Sequence, residues 1–159
     1  MLMSDVSGTT EPQASGRQLA LQRIYLKDVS FESPASPQVF SRPWQPQVRI
    51  EVSTQATSLP DERYEVAITL TLTAQQEQRT VLLIELQQAG LFWITGLDGG
   101  SLAHVLHVTC PTILFPYVRE TLDSLALRGS FPPLLLAPID FGALHRQHPP
   151  QPSPESPAQ

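Results

Sequence analysis

The chain has 159 residues, enough for one domain with a real core, and its net charge of -5 argues against the basic surface that neutralises nucleic-acid phosphates. A single cysteine, Cys110, leaves no internal disulfide to form, and nothing points to an oxidising compartment. The opening MLMSDVSGTTEPQASGRQ lacks the basic flank and apolar centre of a secretory signal, and no apolar run reaches membrane-spanning length.

Residues 1–18 are polar and small, the composition of a disordered arm. Leu19 to Glu32, LALQRIYLKDVSFE, mixes β-branched and aromatic residues as strands do. Its alternation is imperfect: Ile24 and Leu26 share parity with Asp28 and Glu32, whereas Tyr25, Val29 and Phe31 take the other. Either a bulge near Lys27 flips the register, or the strand end leaves the core. Ser33 to Gln47 carries Pro34, Pro37, Pro43 and Pro46, a density that forbids a sheet ladder and predicts a crossover loop. Phe40 and Trp44 lie in it, as lids over apolar surface or as ligand contacts.

Val48 to Thr54 alternates cleanly, with Val48, Ile50 and Val52 inward and Arg49 and Glu51 outward. Ser58 to Glu62 reads as a turn, and Tyr64 to Thr73 as a strand with Tyr64, Val66, Ile68, Leu70 and Leu72 on one face. Ala74 to Glu77 closes a hairpin into the central run, VLLIELQQAGLFWI, from Val81 to Ile94. There Leu82, Ile84 and Leu86 share one face, and Val81, Leu83 and Glu85 the other. An unpaired carboxylate is very costly to bury, so the Leu82 face is core and the Leu83/Glu85 face open to water. Ala89-Gly90 relaxes the strand before an apolar knot from Leu91 to Ile94. Four antiparallel strands follow, each with one wet and one apolar face.

Helical spacing begins after Gly96 to Gly100, with Leu102, Val105 and Leu106 three and four apart. Pro111 breaks or restarts the helix with Thr109 as N-cap, and Leu114, Val118, Leu122 and Leu125 form a second stripe. Pro116 kinks this stretch or marks its true start. Arg128-Gly129 is a fitting stop, with glycine as the cap. Phe131 to Phe141, FPPLLLAPIDF, is apolar but broken by proline and must lie along the sheet or the helices. Gly142 to Arg146 makes one short turn, and the proline-rich stretch from residue 147 to 159 is a disordered tail.

No glycine-rich phosphate loop, nucleophile elbow or paired-carboxylate signature appears. His104, His107 and Cys110 are spaced by three and could share one side of a helix as zinc ligands, but Pro111 disturbs the geometry and no fourth ligand is near. They read as packing or surface residues. Phe40, Trp44, Phe92, Trp93, Phe115, Phe131 and Leu134-Leu135-Leu136 sit in or beside irregular segments, more apolar surface than one sheet and two helices can cover. The chain therefore oligomerises, keeps apolar grooves open, or both.

Several segments together resemble SecB, the bacterial protein-export chaperone family: LQRIYLKDVSFESP, PWQP, YEVAITLTLTA, IELQQAGLF, HVTCPTILFPYVRE and RGSFPPLLLAPIDFGAL. The resemblance covers about residues 19–146. It implies an α+β fold, a four-stranded antiparallel sheet with two main helices on one face, assembled as a dimer of dimers. It implies a cytoplasmic homotetramer with no cofactor, metal or enzymatic activity. Such proteins hold secretory preproteins unfolded and deliver them to SecA, the export motor ATPase. The family's motor-docking patch matches here at Asp28, Glu32, Leu83 and Glu85, and the client grooves at Phe40 and Trp44 on one side and Phe131, Leu134 and Leu136 on the other. Where the family continues into a longer helix and an acidic tail, this sequence has HPPQPSPESPAQ. Two alternatives share parts of the pattern: a SecB-like chaperone devoted to an antitoxin, and a thioesterase-like enzyme using His104 or His107 as base.

Overall fold

Alternating apolar residues generate four long strands in the computed structural model, which describes residues 16–148. They are β1 (Gln18–Glu32), β2 (Gln47–Leu59), β3 (Arg63–Gln76) and β4 (Arg79–Thr95), all antiparallel in the order β1-β4-β3-β2. The expected N-terminal arm, up to residue 15, and the expected tail, from residue 149, lie outside the described residues. Strand β1 starts at Gln18 and the last helix runs through Gln147, so each expected segment gives up its residue nearest the domain.

Strand β4 is the spine. Its even-numbered residues from Leu82 to Ile94 all point to one face, where Leu82, Ile84 and Phe92 are fully buried. The strand does not relax at Ala89-Gly90. Gly90 lies beneath a helix, and a Cβ there would meet Leu114 Cδ2 and the Phe92 ring at 2.8 Å. The expected knot from Leu91 to Ile94 is thus the continuation of the same ladder. Gln88 is the buried polar residue of this face and accepts a long bond from Thr121 Oγ1 at 3.5 Å. Val81 departs from its expected open face. It falls where the register slips between Ala74↔Leu82 and Gln75↔Thr80, and it is buried.

The doubt over β1 resolves as a bulge at Lys27, with a second at Gln22. Between them the register pairs Leu19, Leu21, Ile24, Leu26, Val29 and Phe31 with the even residues of β4. Two extra residues thereby keep every large aliphatic side chain of β1 on the helix side. The hairpins turn at Asp61-Glu62 and Glu77-Gln78, each pair with positive φ, which matches the strands' right-handed twist.

Gly99–Arg128 is one continuous helix rather than two. It comprises α1 (Gly99–His104), a π turn (Val105–Thr109) and α2 (Cys110–Arg128). The π turn shifts the bonding by one residue just before Pro111, which has no N–H to donate. Thr112 Oγ1 donates to Val108 O at 2.7 Å and gives that carbonyl a partner. Thr109 therefore has helical angles and caps nothing, and Pro116 sits inside the helix without ending it. By length and composition the whole helix could cross a membrane, which the sequence runs did not suggest. Its apolar stripe packs on β3 and β4 instead, with Leu114, Val118 and Leu122 fully buried, each contributing about 1.5–3 kcal/mol.

A second helix, α3 (Phe141–Gln147), packs on the π turn of the long helix and is longer than the single turn expected. Asp140 caps it by accepting from Ala143 N at 3.0 Å, and Phe141 packs edge-on to Phe115 at 5.8 Å. Both outer strands keep an uncovered helix-side strip: Leu19, Leu21, Leu26 and Val29 on β1, and Val48 and Ile50 on β2.

Candidate functional site

Two surfaces emerge from this geometry, on opposite sides of the sheet. The first follows from the bulge at Lys27, which moves Asp28 and Glu32 to the open face beside β4. Asp28 lies opposite Gln87, Ser30 opposite Glu85, and Glu32 opposite Leu83, so Asp28, Glu32, Leu83 and Glu85 share one face at one end of the β1–β4 pair. The three acids are exposed and Leu83 is half-buried. Asp28 and Glu85 line a shallow depression with Thr69, Thr71 and Gln87. Asp28 Oδ1 accepts from Val29 N at 2.9 Å, which stiffens the bulge. Among the described residues none of these three carboxylates has a cation within ion-pair distance.

Lys27 is the nearest cation in sequence, and its Nζ turns to Glu65 at 2.7 Å. Tyr25 donates to the same carboxylate. The two bonds, Lys27's first, hold Glu65 below the usual carboxylate range. Burial, with Glu65 alongside, pushes Tyr25 up to about 12. Nothing in the sequence pattern pairs these three residues, because Glu65 meets β1 only across β4.

The second surface begins where α2 ends. Ser130, not Gly129, takes the left-handed angle, with φ 65. Ser130 N donates to Leu127 O at 3.0 Å and Phe131 N to Ala126 O at 2.9 Å, the paired bonds of a Schellman motif. Gly129 serves close approach instead, since a Cβ there would run into the Phe31 ring. The motif folds Phe131 back onto the core, where it is 3% exposed. The proline-rich crossover loop meets it there: the Trp44 ring is 5.0 Å and the Phe40 ring 5.7 Å from that of Phe131. Phe131 is thus the floor, while Phe40 is 50% exposed and Trp44 is half-buried. The loop is fixed to the β3–β4 hairpin through Gln76, which donates to Pro43 O at 3.1 Å and accepts from Gln45 N at 3.0 Å. Arg42 and Glu77 add an ion pair.

Leu134 and Leu136 are half-buried against the core, and Leu135 between them is the residue that faces out. The resemblance points to the flanking pair and not to Leu135, and a segment without regular structure carries no sequence sign of which leucines it buries.

The histidine and cysteine cluster comes apart. Cys110 is fully buried and burial pushes its thiol up to about 12, whereas His104 is exposed. His107 stacks on His145 of α3 with ring centres 5.1 Å apart, and burial first, then His145, lowers its pKa. Among the described residues no three His, Cys, Asp or Glu side chains are placed to hold a metal ion.

Residues 12–151 match the family model described as preprotein translocase subunit SecB. A protein-export protein SecB of Pseudomonas fluorescens is 48% identical over 145 residues, 91% of either chain. That of Hahella chejuensis is 52% identical over 128 residues, 80% of either chain. The chain belongs to the SecB family. It is accordingly a protein-export chaperone and not an enzyme, which removes the thioesterase alternative. The fold is also that of a solved SecB-like chaperone of Mycobacterium tuberculosis, in complex with a ChAD peptide from an antitoxin. The likeness has a TM-score of 0.61 at 22% identity, over 76% of this chain and 87% of that one.

Proposed function

We propose that this member of the SecB family works as a cytoplasmic homotetramer, a dimer of dimers, that keeps secretory preproteins unfolded and passes them to the motor ATPase SecA. Client contact is assigned to Phe40 and Trp44 over the Phe131 floor, with Leu134 and Leu136 bordering it. Motor docking is assigned to Asp28, Glu32, Leu83 and Glu85. The observation that carries this reading is the division of the strand end at Phe31 and Glu32: the first side chain joins the aromatic side and the second the acidic side.

A chaperone that must be emptied by a partner needs two surfaces that can be occupied at once. Each large side chain a client buries is worth about 1.5–3 kcal/mol, against about 0.5–1.5 kcal/mol for each side chain immobilised. One groove therefore binds loosely, and several grooves on one assembly raise avidity by roughly 10²–10⁴. The uncovered apolar strip along edge strand β1 supports assembly with a second copy. An antitoxin client would use the same fold, but it gives the acidic face no task.

Glu85→Lys tests the division. Binding to SecA is expected to fall by at least about tenfold, with the loss greatest at low salt. Binding of an unfolded preprotein, followed by light scattering of the complex, is expected to stay unchanged. Equal loss of both would sink the two-surface reading.

A further inference from the structure

The segment between α2 and α3 contains an arrangement that the fold does not need. Leu135 has φ 49, a left-handed conformation that a side chain with a Cβ rarely adopts. It is also the most exposed of the exposed large apolar side chains, at 71%. Its neighbours explain why the kink falls here. Pro132, Pro133 and Pro138 have fixed φ, so only Leu134 to Ala137 can absorb a change of direction. Asp123, one turn before the end of α2, then holds it. Its Oδ1 accepts from Leu134 N at 2.8 Å and from Leu135 N at 3.2 Å. Bonds from two backbone N–H groups to one carboxylate are strong enough to keep an unfavourable backbone in place.

We infer that Asp123 is a positioning residue for client capture: by pinning the backbone at Leu134 and Leu135, it holds the Leu135 side chain outward as an apolar contact for unfolded polypeptide. This rests on the client reading given above. Leu134 and Leu136, turned inward against the core, keep the segment from drifting, so Leu135 is presented on a fixed base. It stands four residues from Phe131, the floor beneath Phe40 and Trp44, on the same segment between α2 and α3. The occupant is an extended, unfolded chain with large apolar side chains. Folded proteins bury such groups.

Three variants of the full chain test this, with a reduced and carboxymethylated polypeptide as the permanently unfolded probe and fluorescence anisotropy as the readout. Leu135→Gly keeps the positive φ, which glycine adopts readily, and removes only the side chain. Asp123→Ala keeps the side chain and releases its backbone. Asp123→Asn retains an Oδ1 acceptor. The first two are expected to weaken probe binding by about tenfold, and Asp123→Asn to restore most of the affinity. The double variant Asp123→Ala/Leu135→Gly should bind no worse than Leu135→Gly alone, since both act through one side chain. Thermal unfolding of Leu135→Gly should be no lower than that of the parent, which a purely structural role would not allow.

Parental affinity in Leu135→Gly overturns the inference, and so does a further loss in the double variant. Phe40→Ala separates this failure from failure of the client reading. If Phe40→Ala loses the probe and Leu135→Gly does not, only the role of Asp123 and Leu135 falls. If both bind like the parent, the client surface itself lies elsewhere.

Discussion

On the helix side of the sheet Leu70, Leu72, Leu82 and Ile84 are fully buried; one residue along, on the open side, Thr71, Leu83 and Glu85 are half-buried or exposed. The two faces use the same strands and the same register, and differ only in what lies over them. The helix side is fixed by volume: Leu114, Val118 and Leu122 fill the space above β3 and β4, and Gly90 is glycine because no room is left. The open side is fixed by charge and register, and where it is closed over, at Ala67 and Ala89, it takes small residues. The lesson is that substitutions directly beneath the helix should be read as stability and those on the open side around Glu85 as recognition.

The largest expected break in that contrast is Leu114→Ala, which should cost about 2–5 kcal/mol in denaturant unfolding. Leu83→Ala on the open face should cost less than about 1 kcal/mol. Comparable losses for the two would mean that the open face is packed in solution. Next is Gly90→Val, where overfilling should cost about 1–3 kcal/mol. A neutral result would show that α2 lifts off the sheet easily. Phe40→Ala should change stability by less than about 0.5 kcal/mol, since half of the side chain is already exposed. Titration of the Trp93→Phe variant, in which Trp44 is the sole tryptophan, with a tryptophan-free unfolded client should shift its emission, and an unchanged spectrum at saturation would remove the crossover loop from the groove.

The smallest effect concerns pH. His107 has a folded-state pKa below its ordinary 6.5, because burial and then His145 disfavour its charge. Its contribution to stability is therefore complete above about 6.5 and is lost as pH falls below that value. His107→Gln should flatten the decline in urea midpoint between neutral and mildly acidic buffer. An identical decline in both proteins would assign the acid sensitivity to other groups.

Much of this was legible from periodicity. The facing of β3, and of β4 from Leu82 onward, follows from alternation, and the open side of β4 from the cost of burying Glu85. The bulge at Lys27 could be posed as a choice because Leu26 and Val29 demand opposite parity. The acidic surface was not legible from pattern, since Asp28 and Glu32 reach Glu85 only through that bulge; the resemblance to SecB carried it. The helix was divided in two because Pro111 reads as a breaker, and a π turn that accommodates it has no sequence signature. Which leucine of the Leu134-Leu135-Leu136 triplet faces out is not legible, because the outward pose of Leu135 depends on a carboxylate in the preceding helix.

The lone thiol has a practical corollary. Cys110 lies sealed between helix and sheet, and burial keeps it protonated at ordinary pH. Alkylating dyes attack thiolate, so they should pass over it until the helix parts from the strands. A reporter can therefore be attached through a new surface cysteine on either side of the molecule without deleting the native one. The slow modification that does reach Cys110 becomes a stopwatch for how often this protein opens.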